Sequence, residues 1–255
     1  MGAVIFNYIS TSRLSFKHFQ FSDKNYYLLT SVFVFSVIAD AAVTHSWFLV
    51  LEFFIFAIAG VVGETLFSIW WHSLYSARFW TYQVETVLHS YTSLLNFIPW
   101  GAGGMLYMSL VKHTNFKLPG NFILIFSSSI LLMFLFQIAF FKFGYRRLFN
   151  ETRFHQLTFS NYIFFCLPIL FAIIVSAVFF GPMVLVITLW FGAIAGVVEY
   201  LFGKCVEFFI SKKLWTYNYL AYDSGHFTPL SLLPFALGGF YFWIISELVQ
   251  KLIRN

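Results

Sequence analysis

Two glutamates, Glu64 and Glu199, stand inside long apolar stretches, and each follows the same six residues. AIAGVV occupies 57–62 and again 193–198, and Gly63 is the one extra residue of the first copy. Sixteen residues beyond each glutamate comes Trp-Thr-Tyr, as Trp80-Thr81-Tyr82 and Trp215-Thr216-Tyr217. From Glu64 onward the offset stays at 135 residues, so that Pro99 and Gly103-Gly104 map onto Pro234 and Gly238-Gly239. A carboxylate in hydrocarbon is costly, and such residues pair with other groups or mark proton and substrate paths. Two chemistries stay open for the pair. One is a proton or substrate site; the other is a structural lock that bonds a Tyr, a Trp or the backbone of a neighbouring helix.

The surrounding residues refine this. At helical spacing Gly192, Gly196, Glu199 and Gly203 share one face. Small residues there let a neighbouring helix approach, so Glu199 is expected to face protein or a cavity. Gly60, Glu64 and Trp71 share a face in the first copy. Lys204 and Glu207 have the spacing of an ion pair, and His72 takes the place of Glu207 in the first copy. The segment from Tyr217 to His226 is rich in hydrogen-bonding side chains, as are His89 and Tyr91 in the first copy. Asp223 and His226 suit an acid–base pair. Their counterparts are Leu88 and Tyr91, so the pair is not duplicated, as expected of a single site on a pseudo-dyad. The candidate catalytic residues are therefore Glu64, Glu199, Asp223 and His226. The candidate substrate-binding residues are Glu64, Glu199, Trp80, Tyr82, Trp215, Tyr217, Gly225 and His226.

Other chemistries find no residues. Cys166 and Cys205 both fall in apolar runs, and neither a disulfide framework nor a metal spacing is present. There is no Walker motif, nucleophile elbow, HExxH or histidine box. No histidine pair at matched depth suits haem, and no lysine in the last apolar run suits a retinal Schiff base. No cofactor is expected.

The elements that must position these residues follow from composition. Hydrophobic residues make up 60% of the chain and charged residues only 10%. A soluble domain carries about 25% charged residues. The apolar runs are continuous and approach the roughly 20 residues that cross a bilayer, so they read as helices. Seven spans are expected, at about 26–43, 47–71, 93–111, 122–141, 161–180, 183–210 and 230–249. With the N-terminus inside, eleven Lys and Arg residues fall in inner segments. Only Lys112, Lys117, Lys251 and Arg254 fall in outer ones. The positive-inside rule then places the N-terminus in the cytoplasm and the C-terminus outside an inner or plasma membrane. The sequon Asn150-Glu151-Thr152 would lie inside. The net charge of +5 comes from span ends and gives no reason to expect nucleic acid.

The expected fold class is all-α, a polytopic membrane bundle of about seven helices. It comprises two parallel three-helix repeats joined by a connector helix. Residues 1–24 form a cytoplasmic or interfacial segment and 25–112 the first repeat. Residues 113–160 are the connector and a basic inner loop, and 161–255 the second repeat. Both Trp-Thr-Tyr loops face the cytoplasm, where their tryptophans are suited to anchor at the interface.

Parts of this pattern resemble the CmpB-type ABC-transporter permease family. Its C-terminal pattern is a Glu-Tyr/Phe-x-x-Gly helix, a basic residue with Trp-Asp-Tyr-Ser, and a glycine loop leading to Leu-rich sequence. This chain reads Glu199-Tyr200-Leu201-Phe202-Gly203, then Lys213-Leu214-Trp215-Thr216-Tyr217-Asn218, Gly225-His226 and Ser231-Leu232-Leu233. Its N-terminal pattern of a Gly-x-x-x-Glu helix and a Pro-x-Tyr-Gly-x-Gly turn is echoed by Gly60 to Glu64 and by Pro99 to Gly103. The resemblance covers roughly 55–110 and 190–240. Thr216 and Asn218 stand where the family has Asp and Ser, and its Asn-Arg-Gly-Phe-Leu stretch is missing from the first copy. The resemblance implies a membrane fold in which Glu64, Glu199, Trp215, Tyr217 and Gly225 define the site or the fold.

Three functions remain. The first is a transport component or proton-coupled carrier, with Glu64 and Glu199 at a repeat interface. An ABC-type version would need a separate ATPase subunit. The second is an intramembrane enzyme acting on a lipid or isoprenoid. The third is a non-catalytic bundle that binds lipid or a partner protein. The expected partners are membrane lipids, a small apolar or lipid ligand, and a separate ATPase subunit or further copies in a homo-oligomer.

Overall fold

The computed structural model describes residues 24–75, 78–84, 86–112 and 159–254, with residues 124, 128, 131, 132 and 135. Six long helices carry the described chain. They are α1 (Lys24–Val43), α2 (Phe48–Tyr75), α3 (Phe97–Lys112), α4 (Phe159–Phe180), α5 (Pro182–Ile210) and α6 (Leu232–Arg254). Five regions are long and apolar enough to cross a membrane: Tyr26–Val43, Phe48–His72, Leu94–Lys112, Pro182–Ile210 and Pro229–Ile253. Helices are the natural outcome, because hydrocarbon offers backbone N–H and C=O groups no partners. The chain is an integral, multi-pass membrane protein built as an all-α bundle.

These helices fall where the apolar runs place them. The expected span at 161–180 is α4, whose apolar stretch is Ile169–Phe180. The expected span at 122–141, the segment 1–23 and the sequon at 150–152 lie outside the described residues. Helix ends follow local chemistry. Pro182 opens α5 at a position where its missing N–H costs nothing, and Ser211 closes it in the left-handed conformation (φ 55°).

Packing is pairwise. α2 lies along α3 and α5 along α6, and α3 and α6 meet between the pairs. The expected close approach at Gly192 is to α6. A Cβ there would stand 2.5 Å from the Leu232 carbonyl oxygen. Phe56, Tyr107, Phe191, Phe240 and Trp243 fill the α3–α6 junction. The outward faces, such as Leu28, Phe35 and Val43 of α1 and Val197, Leu201 and Phe208 of α5, are exposed and apolar. That is the pattern lipid contact requires.

One feature is absent from the sequence expectations. The two Trp-Thr-Tyr segments are short strands, β1 (Trp80–Tyr82) and β2 (Trp215–Tyr217), paired antiparallel with Thr81 opposite Thr216. Two extra bonds extend the ladder: Gln83 N–H to the Leu214 carbonyl (2.9 Å) and Asn218 N–H to the Phe79 carbonyl (3.0 Å). Three residues are too few to show a strand's alternation in sequence. The pairing also corrects the expectation that Trp215 anchors at the interface. Trp215 is buried and stacks on Phe202, and Trp80 lies flat on Phe67 with rings 5.6 Å apart. A second core of Trp71, Phe79, Tyr82, Leu214, Trp215 and Tyr217 gathers around this sheet.

Candidate functional site

After each strand the chain makes the same turn. Leu88, His89 and Ser90 all have positive φ, as do Asp223, Ser224 and Gly225. Bridges close the two turns, Val87 with Thr92 and Tyr222 with Phe227. Then Ser93 and Thr228 cap short 3-10 turns, each accepting from the N–H two residues on. Such a run of left-handed residues is costly and persists only where surrounding contacts fix it. The turns return the chain toward the glutamates of α2 and α5.

Glu64 is buried and receives four donors. Tyr82 O–H from β1 and Asn96 Nδ2 (3.3 Å) bond Oε1. Thr92 Oγ1 (2.9 Å) and Trp100 Nε1 (2.9 Å) bond Oε2. An ionised carboxylate offers about four acceptor positions, so this one is saturated. Asn96 also donates to the Tyr82 oxygen, which ties two of the donors together. Trp100 reaches the carboxylate because Gly60 leaves it room. A Cβ at Gly60 would lie 2.4 Å from the Trp100 side chain.

Glu199 occupies the same place in the second copy and is treated differently. Tyr217 O–H donates to Oε1 at 2.5 Å. The other carboxylate oxygen, Oε2, is buried and has no partner among the described residues. At the 135-residue offset Thr92, Asn96 and Trp100 become Phe227, Ser231 and Phe235. Ser231 instead turns its hydroxyl to the Thr228 carbonyl (2.8 Å). Burial, and the Glu199 carboxylate beside it, push the Tyr217 phenol well above its ordinary range, so it remains a donor. Glu64 and Glu199 lie within electrostatic range of one another. Among the described residues neither has a cationic partner, because the ion pairs are Lys204–Asp223 and Glu207–His226.

The loop residues find partners on α5. Tyr200 O–H (2.8 Å) and Lys204 Nζ (3.0 Å) both bond Asp223 Oδ2. These two contacts, the Tyr200 hydroxyl first, hold the Asp223 carboxyl below its usual range. His226 is 1% exposed and bonds Glu207 through Nε2 at 2.6 Å. So Asp223 and His226 each turn to α5 rather than to one another, and Lys204 and Glu207 are divided between them. Each copy pairs the corresponding positions: in the first, the His72 and Tyr91 rings meet edge to face, 6.0 Å apart. Gly225 (φ 95°) packs its turn onto Thr216.

The structure therefore brings Glu64 to Tyr82 and Glu199 to Tyr217. Trp80 and Trp215 pack in the aromatic core behind the strands. Sequence reasoning did not single out Thr92, Asn96 and Trp100. Their signal was a cluster of polar donors just before and inside an apolar helix. It also passed over Glu52, a third carboxylate within the apolar start of α2. No group of residues suited to a metal ion occurs among the described residues. Comparison with protein-family models, curated proteins and solved structures gives no match to this chain.

Proposed function

We propose that this chain is a proton-coupled membrane carrier in which Glu199 is the exchanging carboxylate and Glu64 a fixed one. The observation that carries the reading is the contrast in donors among the described residues, four on Glu64 against one on Glu199. Hydrogen bonds to a charged group contribute about 1.5–3 kcal/mol each. Glu64 is thus satisfied as a buried anion and Glu199 is not. A proton, or a donor group of a substrate, completes Glu199. Two parallel repeats fit this reading. Identical motifs paired antiparallel at Thr81 and Thr216 are what a pseudo-twofold along the membrane normal produces. The resemblance to CmpB-type permeases points to a transport component, and a carrier that needs no ATPase subunit is its simpler form. An enzyme acting on lipid gains nothing from the loop, because His226 is buried and engaged by Glu207.

Glu64→Gln and Glu199→Gln separate the roles. Glu64→Gln puts an N–H where the Tyr, Asn, Thr and Trp donors point. An unsatisfied buried polar group costs about 1–3 kcal/mol, so this variant melts well below wild type. Glu199→Gln melts within about 1 kcal/mol of wild type, since its amide oxygen still accepts from Tyr217 and a neutral bond contributes about 0.5–1.5 kcal/mol. Native mass spectrometry from lipid nanodiscs then shows a discrete ligand on wild type that Glu199→Gln has lost. Equal destabilisation by both variants, with the same ligand on both, would make both carboxylates structural and end the carrier reading.

A further inference from the structure

A third carboxylate lies on the same helix as Glu64. Glu52 is 1% exposed. Ser246 Oγ of α6 donates to its Oε1, and its Oε2 is buried without a partner among the described residues. It precedes Glu64 by twelve residues, which sets the two about 18 Å apart along α2 at about 1.5 Å per residue. Glu64 lies toward the strands and Glu52 toward the α1–α2 turn. Only apolar and glycine residues separate them on α2.

We propose that Glu52 is a second proton-binding site, at the opposite end of the bundle from Glu199. This rests on the carrier reading, in which a proton leaving Glu199 needs a group beyond the apolar middle of the bundle. A hydrogen-bonded chain leads to Glu52 from that end. Gln250 Nε2, on a half-buried side chain, donates to Ser246 Oγ at 3.1 Å, and Ser246 donates to Glu52. Burial deepens along it, since Ser246 is 0% exposed. The titratable groups at this end are Asp40 and His45 of α1 and its turn, Lys112 of α3, and Glu247 and Lys251 of α6. None of them forms an ion pair with Glu52 among the described residues. A buried, uncompensated carboxylate anion is costly, and a proton supplies the missing compensation. The step is simple acid–base exchange: the carboxylate takes a proton on Oε2 and releases it as the acid. A tie between α2 and α6 would not need a carboxylate, because a glutamine accepts from Ser246 equally well.

Infrared difference spectra of the full-length protein in nanodiscs, taken between acidic and alkaline buffer in H2O and D2O, test this. Wild type should show two buried carboxylic-acid carbonyl bands that shift in D2O. Glu52→Gln should abolish one and Glu199→Gln the other. In Ser246→Ala, which keeps the carboxylate and loses its donor, the Glu52 band should move in frequency. If Glu52→Gln and Ser246→Ala leave the spectrum unchanged while Glu199→Gln removes a band, Glu52 is a structural tie and the carrier reading stands without it. If Glu199→Gln removes no band, the carrier reading itself fails, whatever Glu52 does.

Discussion

Trp100 separates a lock from a site most directly. Its indole N–H is one of the two donors on Glu64 Oε2, and Phe235 replaces it in the second copy. Trp100→Phe keeps most of the ring and removes a bond to a charged group, so it should cost about 1.5–3 kcal/mol. Thermal melting in detergent measures this, and an unchanged midpoint would mean that Glu64 is not held as an anion. Asp223 carries a different prediction. Tyr200 and Lys204 depress its titration in the folded loop. A carboxyl depressed on folding stabilises above its ordinary range and loses that contribution as pH falls through its folded value. Protection factors for amides of 222–227 should therefore drop on acidification in wild type. In Asp223→Asn they should be lower at neutral pH and nearly flat toward acid. A drop of equal size in the variant would assign the effect to another group. The sequence showed Glu64 and Glu199 plainly, because a charge in an apolar run stands out. It could not show their inequality. That lies in whether Thr92, Asn96 and Trp100 reach the carboxylate, and these positions look like ordinary loop and helix residues until the three left-handed turn residues fold them back.

At the scale of elements, the helices were legible because each apolar run is long, continuous and without a competing period. The strands were not, because three residues carry no periodicity and their partner lies 135 residues away. The glycines of α5 were legible as a face but not as a particular contact. The structure gives that face to α6. Gly192→Ala should test it. The added Cβ meets a backbone oxygen at 2.5 Å, which no rotamer change relieves, so one helix must shift. Overpacking of this kind costs about 1–3 kcal/mol. Gly238→Ala is the control on the partner helix, since none of the described residues stands within 4 Å of its Cβ position. Equal melting of the two variants would contradict the close α5–α6 approach.

For the whole molecule, the two-stranded sheet decides which helix ends lie together. α2 leads into β1 and α5 into β2, and the strands are hydrogen-bonded, so both helices end on the same side of the bundle. The bond between Ser246 and Glu52 then brings the last turns of α6 beside the first turns of α2, near the α1–α2 turn. The ends of the bundle are thus unlike. One carries the sheet, the two strained turns and the Lys204–Asp223 pair. The other carries the α1–α2 turn and the end of α6. We propose, on the positive-inside rule, that the sheet end faces the cytoplasm. Three exposed positions test both statements in a background without Cys166 and Cys205: His45→Cys, Leu220→Cys and Leu252→Cys. A membrane-impermeant thiol reagent applied to intact cells should label positions 45 and 252. Position 220 should react only after the membrane is opened. Labelling of 220 alone in intact cells would invert the orientation and keep the architecture. Labelling of all three from one side would overturn the architecture, because no bundle with this sheet and this Glu52 contact places those residues on one face of a membrane.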